Sequence, residues 1–415
     1  MRFFYTKTGD EGLARGQERA MTRKEIIRKA LQGEITWIVA AEVLRLTPRQ
    51  VRRVRKRYES QGEAGLLDQR LGKKAPRKLT PEVRLKILTL YRERYRDFSA
   101  LHFFEKLTGE HQLRAVSYTA IKNLLQEEGL LERHARRSAH RKRRERRPMK
   151  GMLLHLDGST HAWLGENYPN FDLLAVMNDA TSEVYSAEFV AQEGTRSCMG
   201  VLRETVAKHG VFCSLYTDRA MHFVVTLKAG DKPDRTRPTQ ISRAFDRLGI
   251  ELIHAYSPQA RGRSERLWRT WQGRLPQELR VASITGLKDA NRYLKDVFLP
   301  WHNANLTVLA QDSAGSAFVP CPASVDLQQV FSIQSSRQVN SDNTVQYKNL
   351  ILQIEAQSSV RYSFAGVKVK VHEHDDGTLS ITYGPHTLGR YTANGEVLKL
   401  ADPKPMKEPD AKKAA

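Results

Sequence analysis

At Met152 the spacing of apolar residues changes from helical to strand-like, so one repeating architecture cannot serve the whole chain. Upstream, Ile26, Ile27, Ala30 and Leu31 recur at helical intervals, and so do Ile38, Val39, Ala41, Val43 and Leu44. Downstream, Met152 to Leu156 form a short apolar block ending in Asp157, and 171–177 and 184–190 read as the next two strands, joined by a turn at 179–182. Residues 194–209 then read as a helix, and 211–217 as a strand ending in Asp218. A helix over 241–248 leads into a strand over 250–254, and a loop delivers Ser264 and Glu265 to a helix start. A three-strand meander followed by helix-strand-helix-strand-helix is the order of a ribonuclease H-like α/β fold.

Charge divides the chain at nearly the same place. The 68 Lys and Arg against 46 Asp and Glu give a net +22, which implies a polyanionic partner. Residues 1–129 hold 28 basic and 16 acidic side chains, 130–150 hold 10 and 2, and the remainder holds 30 and 28. A basic surplus serving only solubility would not be concentrated in the first 150 positions, which hold +20 of the +22. The cysteines, Cys198, Cys213 and Cys321, form no CxxC pair, which fits a reducing compartment. No apolar run approaches the roughly 18 residues of a membrane span, and the N-terminus lacks a signal-peptide pattern, so a cytoplasmic, nucleoid-associated protein is expected.

The basic region is helical. Thr47-Pro48-Arg49-Gln50 opens a third helix with an N-cap threonine, a proline at the first position and a glutamine that completes a capping box. That helix carries Arg49, Gln50, Arg52, Arg53, Lys56 and Arg57 as candidate DNA contacts, together with Arg55. Three short helices with a basic third describe a helix-turn-helix. A second trio runs from Thr80-Pro81 to about Tyr95, from Ser99 to Leu107 and from Ser117 to Gly129, where DNA binding and a plain helical bundle are both open. Lys73 and Lys74 in the intervening linker, and Arg141, Lys142, Arg143 and Arg144 in a basic arm with no apolar stripe, are expected to track phosphates.

The acids carry the chemistry. Asp157 in His-Leu-Asp-Gly-Ser, Asp218 in Leu-Tyr-Thr-Asp-Arg-Ala and Glu265 in Gly-Arg-Ser-Glu-Arg resemble the three motifs of the retroviral-integrase superfamily of DDE transposases. With the helix-turn-helix ahead of them, the chain is similar to bacterial insertion-sequence transposases, most closely the ISNCY family. The resemblance implies a DNA transposase that binds terminal inverted repeats and catalyses metal-dependent 3′-end cleavage and strand transfer. It also implies two Mg2+ or Mn2+ ions, with Asp157 bridging both, Asp218 holding one and Glu265 the other. Double-stranded DNA and a second copy of the chain are the implied partners. Oxygen donors suit such hard cations, and a two-metal site serves an in-line displacement. Arg261, Arg263, Arg266 and Arg269 surround Glu265 and are expected to grip phosphates. Leu267, Trp268, Trp271 and Leu275 read as core, and His155 as a structural histidine. Two departures stand out: a polar insertion at 228–238, and Arg219-Ala220-Met221 where many relatives have a small polar residue and glycine. The latter keeps a non-catalytic DNA-binding regulator open as the alternative.

Further on, Trp301 to Asn305 resembles the segment that closes integrase cores. Segments 344–347, 350–354, 368–372 and 379–383 alternate, with a hairpin signal at Asp375-Asp376-Gly377, and the relatives' small SH3-like barrel is expected there. The expected organisation is a leader at 1–20, a helix-turn-helix at 21–70, a linker at 71–79, a second helical domain at 80–132 and a basic arm at 133–150. A catalytic core at 151–306, a linker at 307–335, a small β-barrel at 336–400 and a disordered tail at 401–415 complete it.

Overall fold

The computed structural model describes residues 23–67, 79–133, 145–225, 237–255, 262–355 and 363–398. The chain forms two compact units, Met1–Lys86 and Ile87–Ala415. In the first, α1 (23–31), α2 (Trp37–Leu44) and α3 (Pro48–Gln61) are followed by a 3-10 turn, Gly62–Leu66. The expected capping box forms: Gln50 N–H donates to Thr47 Oγ1 at 3.3 Å, and Thr47 N–H donates to Gln50 Oε1 at 2.9 Å. Between α2 and α3 the chain reverses through Arg45 at φ 53, a left-handed position that most side chains avoid. Ile27, Ala41, Val51, Val54 and Leu66 make the core. Arg55 turns aside, bonding Glu59 at 2.6 Å and covering the Trp37 ring at 4.8 Å.

The second unit begins within the first helix of the later trio. Helix α4 (Pro81–Glu93), α5 (Ala100–Gly109) and α6 (Tyr118–Glu127) enclose Tyr91, Tyr95, Phe98, Phe103, Leu107, Ile121 and Leu125. The sequence treats 80–132 as a separate domain, but α5 is bonded to a later helix, Leu275–Val281. His102, stacked on Phe98 at 3.9 Å, meets Glu278 Oε1 at 2.7 Å, and Lys106 meets Glu278 Oε2 at 2.7 Å. Burial alone would raise the Glu278 carboxyl, yet hydrogen bonds from His102 and Lys106 bring it down to about 2. Burial lowers the pKa of His102 against the opposing pull of Glu278.

A mixed five-stranded sheet follows, in the order β3-β2-β1-β4-β5. Its strands are β1 (Leu154–His161), β2 (Phe171–Asn178), β3 (Val184–Val190), β4 (Ser214–Thr217) and β5 (Glu251–His254). The first three form an antiparallel meander, and β1-β4-β5 run parallel, which needs crossover connections such as those through helices. Here β1 corrects the sequence reading: it does not stop at Asp157 but pairs with β2 as far as His161. Helices α7 (Thr195–His209) and α8 (Gln240–Leu248) cover one face over Leu154, Leu156, Leu174 and Val176. The other face packs Leu173, Ala175 and Met177 against α9 (Gly262–Gln272), α10 (Leu275–Val281) and α11 (Leu287–Tyr293). A π-helical turn, Leu294–Phe298, then joins α11 to α12 (Leu299–Asn305).

Edge strand β3 would leave a row of unpaired backbone groups, and two asparagines cap them. Asn303 accepts from Val184 N and donates to Val184 O, both at 2.9 Å. Asn291 does the same for Phe189, at 2.7 and 2.9 Å. Beside them, Trp271 Nε1–H donates to His302 Nδ1 at 3.0 Å, so the ring's proton sits on Nε2, facing Ser182 O at 3.2 Å.

The expected linker at 307–335 is built into the core instead. Val319 and Val211 exchange two backbone bonds of 2.7 and 2.8 Å, and Phe318 and Cys321 pack on the α7 side. Gly210, at φ 97, lies directly under Val319 O, where a β-carbon has no room. The same segment also contains α13 (Leu327–Val330) and the start of β6 (Ile333–Gln338). Arg243 of α8 donates to the carbonyls of Val330 and Ser332 at 3.0 and 2.7 Å, fixing that start to the core.

The remaining strands are β7 (Thr344–Tyr347), β8 (Leu350–Gln353), β9 (Lys368–Glu373), β10 (Leu379–Tyr383), β11 (His386–Tyr391) and β12 (Val397–Leu398). They form an antiparallel sheet in the order β12-β11-β10-β9-β6, and β7-β8 make a separate pair. Both share one core, including Val345, Leu352, Val371, Ile381 and Tyr391. Among the described residues β12 and β6 are open edges, so the strands do not close into the expected barrel.

Burial lowers the pKa of His102, His209, His302 and His372, the last from 6.5 to about 4. The unfolded chain takes up these protons near pH 6.5, whereas the native chain resists until lower pH. Stability is therefore complete above pH 6.5 and is lost as pH falls toward 4, with His372 alone contributing about 3 kcal/mol. Urea unfolding of the full chain at pH 7.5 and 5 should give a clearly lower midpoint at pH 5.

Candidate active site

Strand register sets the first two acids at one end of the sheet. β1 and β4 pair in parallel as Leu154↔Leu215 and His155↔Tyr216, and the same register continued two steps would set Asp157 level with Asp218, which follows the end of β4. Adjacent strands lie about 4.8 Å apart, so the two carboxylates share one end of the sheet. Asp218 Oδ1 accepts from Ala220 N–H at 3.0 Å, which turns the chain out of β4. The third acid comes from the helix that crosses this end. Trp268 Nε1–H donates to Asp157 Oδ2 at 3.1 Å, and Glu265 lies three residues earlier on α9, exposed and on the same side of the helix. Trp268, expected as core, is indeed 7% exposed, and its indole also anchors Asp157. Asp157, Asp218 and Glu265 offer oxygen only, the donor set that Mg2+ and Mn2+ prefer.

Asp179 ties the pieces in place. This carboxylate, 1% exposed, accepts from His155 Nε2 at 2.7 Å and from Arg147 N–H at 2.7 Å, and it pairs with Arg263. Burial alone would raise its pKa, but these three donors hold it well below the usual carboxylate range. His155 stands two residues before Asp157 and Arg263 two before Glu265, so one buried anion braces both supports of the acids. His155 is thus the structural histidine expected from the sequence. Arg263 is turned inward, with Nη2 donating to Glu145 O at 2.9 Å, rather than outward toward phosphate.

Of the other basic candidates, Arg266 and Arg269 are exposed on α9, and Arg49, Arg52, Arg53 and Lys56 are exposed on α3. Arg57 is half-buried, and Gln50 spends its side-chain oxygen on the helix cap. Lys73, Lys74, Arg141, Lys142, Arg143, Arg144 and Arg261 lie outside the described residues, as do the leader and the tail.

Sequence reasoning missed Glu193 and Cys198 and passed over His222. Glu193 Oε1 lies 3.1 Å from His222 Nε2 and 3.9 Å from Cys198 Sγ. Its other oxygen occupies the place of a β-carbon on Gly158, the residue after Asp157. Nothing local marks these residues, since Glu193 and His222 are 29 positions apart.

Among the described residues no helix is long and apolar enough to cross a membrane. Residues 22–75 match a family model described as a helix-turn-helix domain. The chain is 31% identical over 379 residues to "Putative transposase y4bF" of Sinorhizobium fredii, covering 91% of this chain and 81% of the relative. It is 26% identical over 396 residues to the transposase for insertion sequence IS1202 of Streptococcus pneumoniae, covering 86% and 83%. Solved structures with some likeness include a simian T-cell lymphotropic virus intasome in complex with a PP2A regulatory subunit (13% identity, TM-score 0.32, 74% of this chain and all of that one). The HTLV-2 integrase catalytic core with magnesium is another, at 14% identity and TM-score 0.28, covering 40% of this chain and 93% of that one. At such TM-scores these structures add nothing to the topology. The sequence relationship is decisive over nearly the whole length: the chain belongs to the bacterial insertion-sequence transposases.

Proposed function

We propose that this transposase binds the terminal inverted repeats of its element, cleaves the 3′ ends and joins them to target DNA at a site formed by Asp157, Asp218 and Glu265. The observation that supports this reading is the bond from Trp268 of α9 to Asp157, with Glu265 one helical turn before Trp268 and Asp218 directly after β4, the parallel neighbour of β1. Asp157, Asp218 and Glu265 would hold Mg2+ or Mn2+, two per site, whose chemistry is to activate the attacking oxygen and stabilise the leaving one. Trp268 orients one Asp157 oxygen. Exposed Arg266 and Arg269 grip the phosphates flanking the scissile bond.

In the first step water attacks the phosphorus at the element's end, the bond to the 3′ oxygen breaks, and a free 3′-OH and a 5′-phosphate result. In the second, that 3′-OH attacks a target phosphodiester and displaces the target's own 3′ oxygen, so one phosphodiester forms as one breaks. No covalent enzyme intermediate is needed. Exposed Arg49, Arg52, Arg53 and Lys56 on α3 contact the repeat, and joining two ends requires at least a dimer on DNA.

The test is nicking of labelled DNA that carries the element's own ends. Nicks at the 3′ end with Mg2+ and none with EDTA are expected, and metal-independent nicking would sink the proposal. With six to ten phosphate contacts, end affinity should also fall on the order of 10³ to 10⁵-fold between 50 and 200 mM salt.

A further inference from the structure

The strongest unassigned feature is the cluster of Glu193, Cys198 and His222. Each offers one ligand atom, and the three atoms lie within 4.8 Å of one another. They come from three places in the fold: Glu193 from the loop after β3, Cys198 from the first turn of α7 and His222 from the loop after β4. Local packing aims them together. Gly158 leaves space for the Glu193 carboxylate, and the Glu193 N–H donates to Asp172 Oδ2 at 2.6 Å, fixing the loop. Cys198 is fully buried, whereas His222 and Glu193 keep partial access, at 13% and 25% side-chain exposure. That arrangement gives a metal an entry path and a dry far wall.

The donor set differs in kind from that of the acidic triad. One sulfur, one imidazole nitrogen and one carboxylate oxygen suit a borderline cation, and a thiolate does not favour Mg2+. Ligand atoms about 3 to 4 Å apart, as in a tetrahedral zinc shell, match the 3.1 and 3.9 Å separations within small side-chain movements. Free of metal, burial first, then the Glu193 and Asp218 carboxylates, push the Cys198 thiol well up. A bound cation reverses that balance, taking the thiolate as ligand and releasing its proton to solvent.

We propose that Glu193, Cys198 and His222 form a zinc-class metal site, separate from the acidic triad, that staples the loop following Asp218 to the start of α7. His222 is four residues beyond Asp218, so occupancy of this site restrains the loop on which Asp218 sits. The site does not depend on the catalytic reading of the triad, because its ligands are different residues with different metal preference.

Cobalt(II) added to the metal-stripped full chain tests this, because a cobalt–thiolate bond gives a charge-transfer band that oxygen ligands cannot produce. A band saturating at one Co2+ per chain, displaced by Zn2+, is the expected result. It should persist in the Cys213→Ser/Cys321→Ser double variant and in Asp157→Asn. It should vanish in Cys198→Ser, and His222→Ala should weaken Co2+ binding by at least the 10 to 100-fold that loss of a supporting partner costs. Should Cys198→Ser not fold, His222→Ala and Glu193→Gln, at partly exposed positions, decide the matter. Absence of the band in the wild type, or its survival unchanged in Cys198→Ser or His222→Ala, overturns the assignment.

Discussion

Replacing Asp157 or Asp218 with asparagine should lower end cleavage and strand transfer by on the order of 10³-fold or more, with end binding retained. The size follows from the role: a metal that stabilises attacking and leaving oxygens contributes several kcal/mol, and each 1.36 kcal/mol is a factor of ten in rate. Asparagine keeps the shape and removes the charge. Glu265→Gln should lose a similar factor with no loss of stability, because Glu265 is exposed. End binding should survive all three, since the exposed basic face of α3 belongs to the other compact unit. Gel-shift and single-turnover cleavage on one DNA substrate give both readouts, and a variant that cleaves within tenfold of wild type would remove its acid from the site.

The second large effect is expected at Asp179. Asp179→Ala leaves Arg263 and His155, 16% and 3% exposed, facing a gap where an anion stood. Removing one partner of a buried ion pair typically costs about 3–5 kcal/mol, because the remaining charge is left uncompensated. Arg263→Met combined with Asp179→Ala should recover part of that loss, as no orphaned charge remains. Urea unfolding of the single and double variants measures both terms. An Asp179→Ala chain as stable as wild type would show the network to be idle.

Much of the fold was legible because its signals are local. Thr47 and Gln50 announce α3 through a cap that needs only four residues, and the apolar blocks at 171–177 and 184–190 coincide with β2 and β3. The acids could be singled out as candidates for the same reason, since each stands where an apolar block stops or a helix opens. Less visible was whatever depends on distant partners. β1 continues through Gly158-Ser159-Thr160-His161, a polar run whose strand character comes only from the β2 ladder. Segment 307–335 looks like a linker because its bonds are to Val211 and to α8, about a hundred residues away. β11, with the sequence His-Thr-Leu-Gly-Arg-Tyr, has too few apolar residues to show alternation. Arg263 is indistinguishable in sequence from Arg266 and Arg269, and only the position of Asp179 decides that it points inward. The Glu193, Cys198 and His222 cluster is legible only in three dimensions, because its ligands share no motif spacing.

The central claim is that Asp157, Asp218 and Glu265 form one metal site, and Mn2+ binding on end DNA tests it most directly. Paramagnetic titration of the wild-type complex should detect Mn2+ that Mg2+ displaces, with affinity lost in Asp157→Asn and Asp218→Asn. Equal Mn2+ affinity in the wild type and the two aspartate variants would contradict the account.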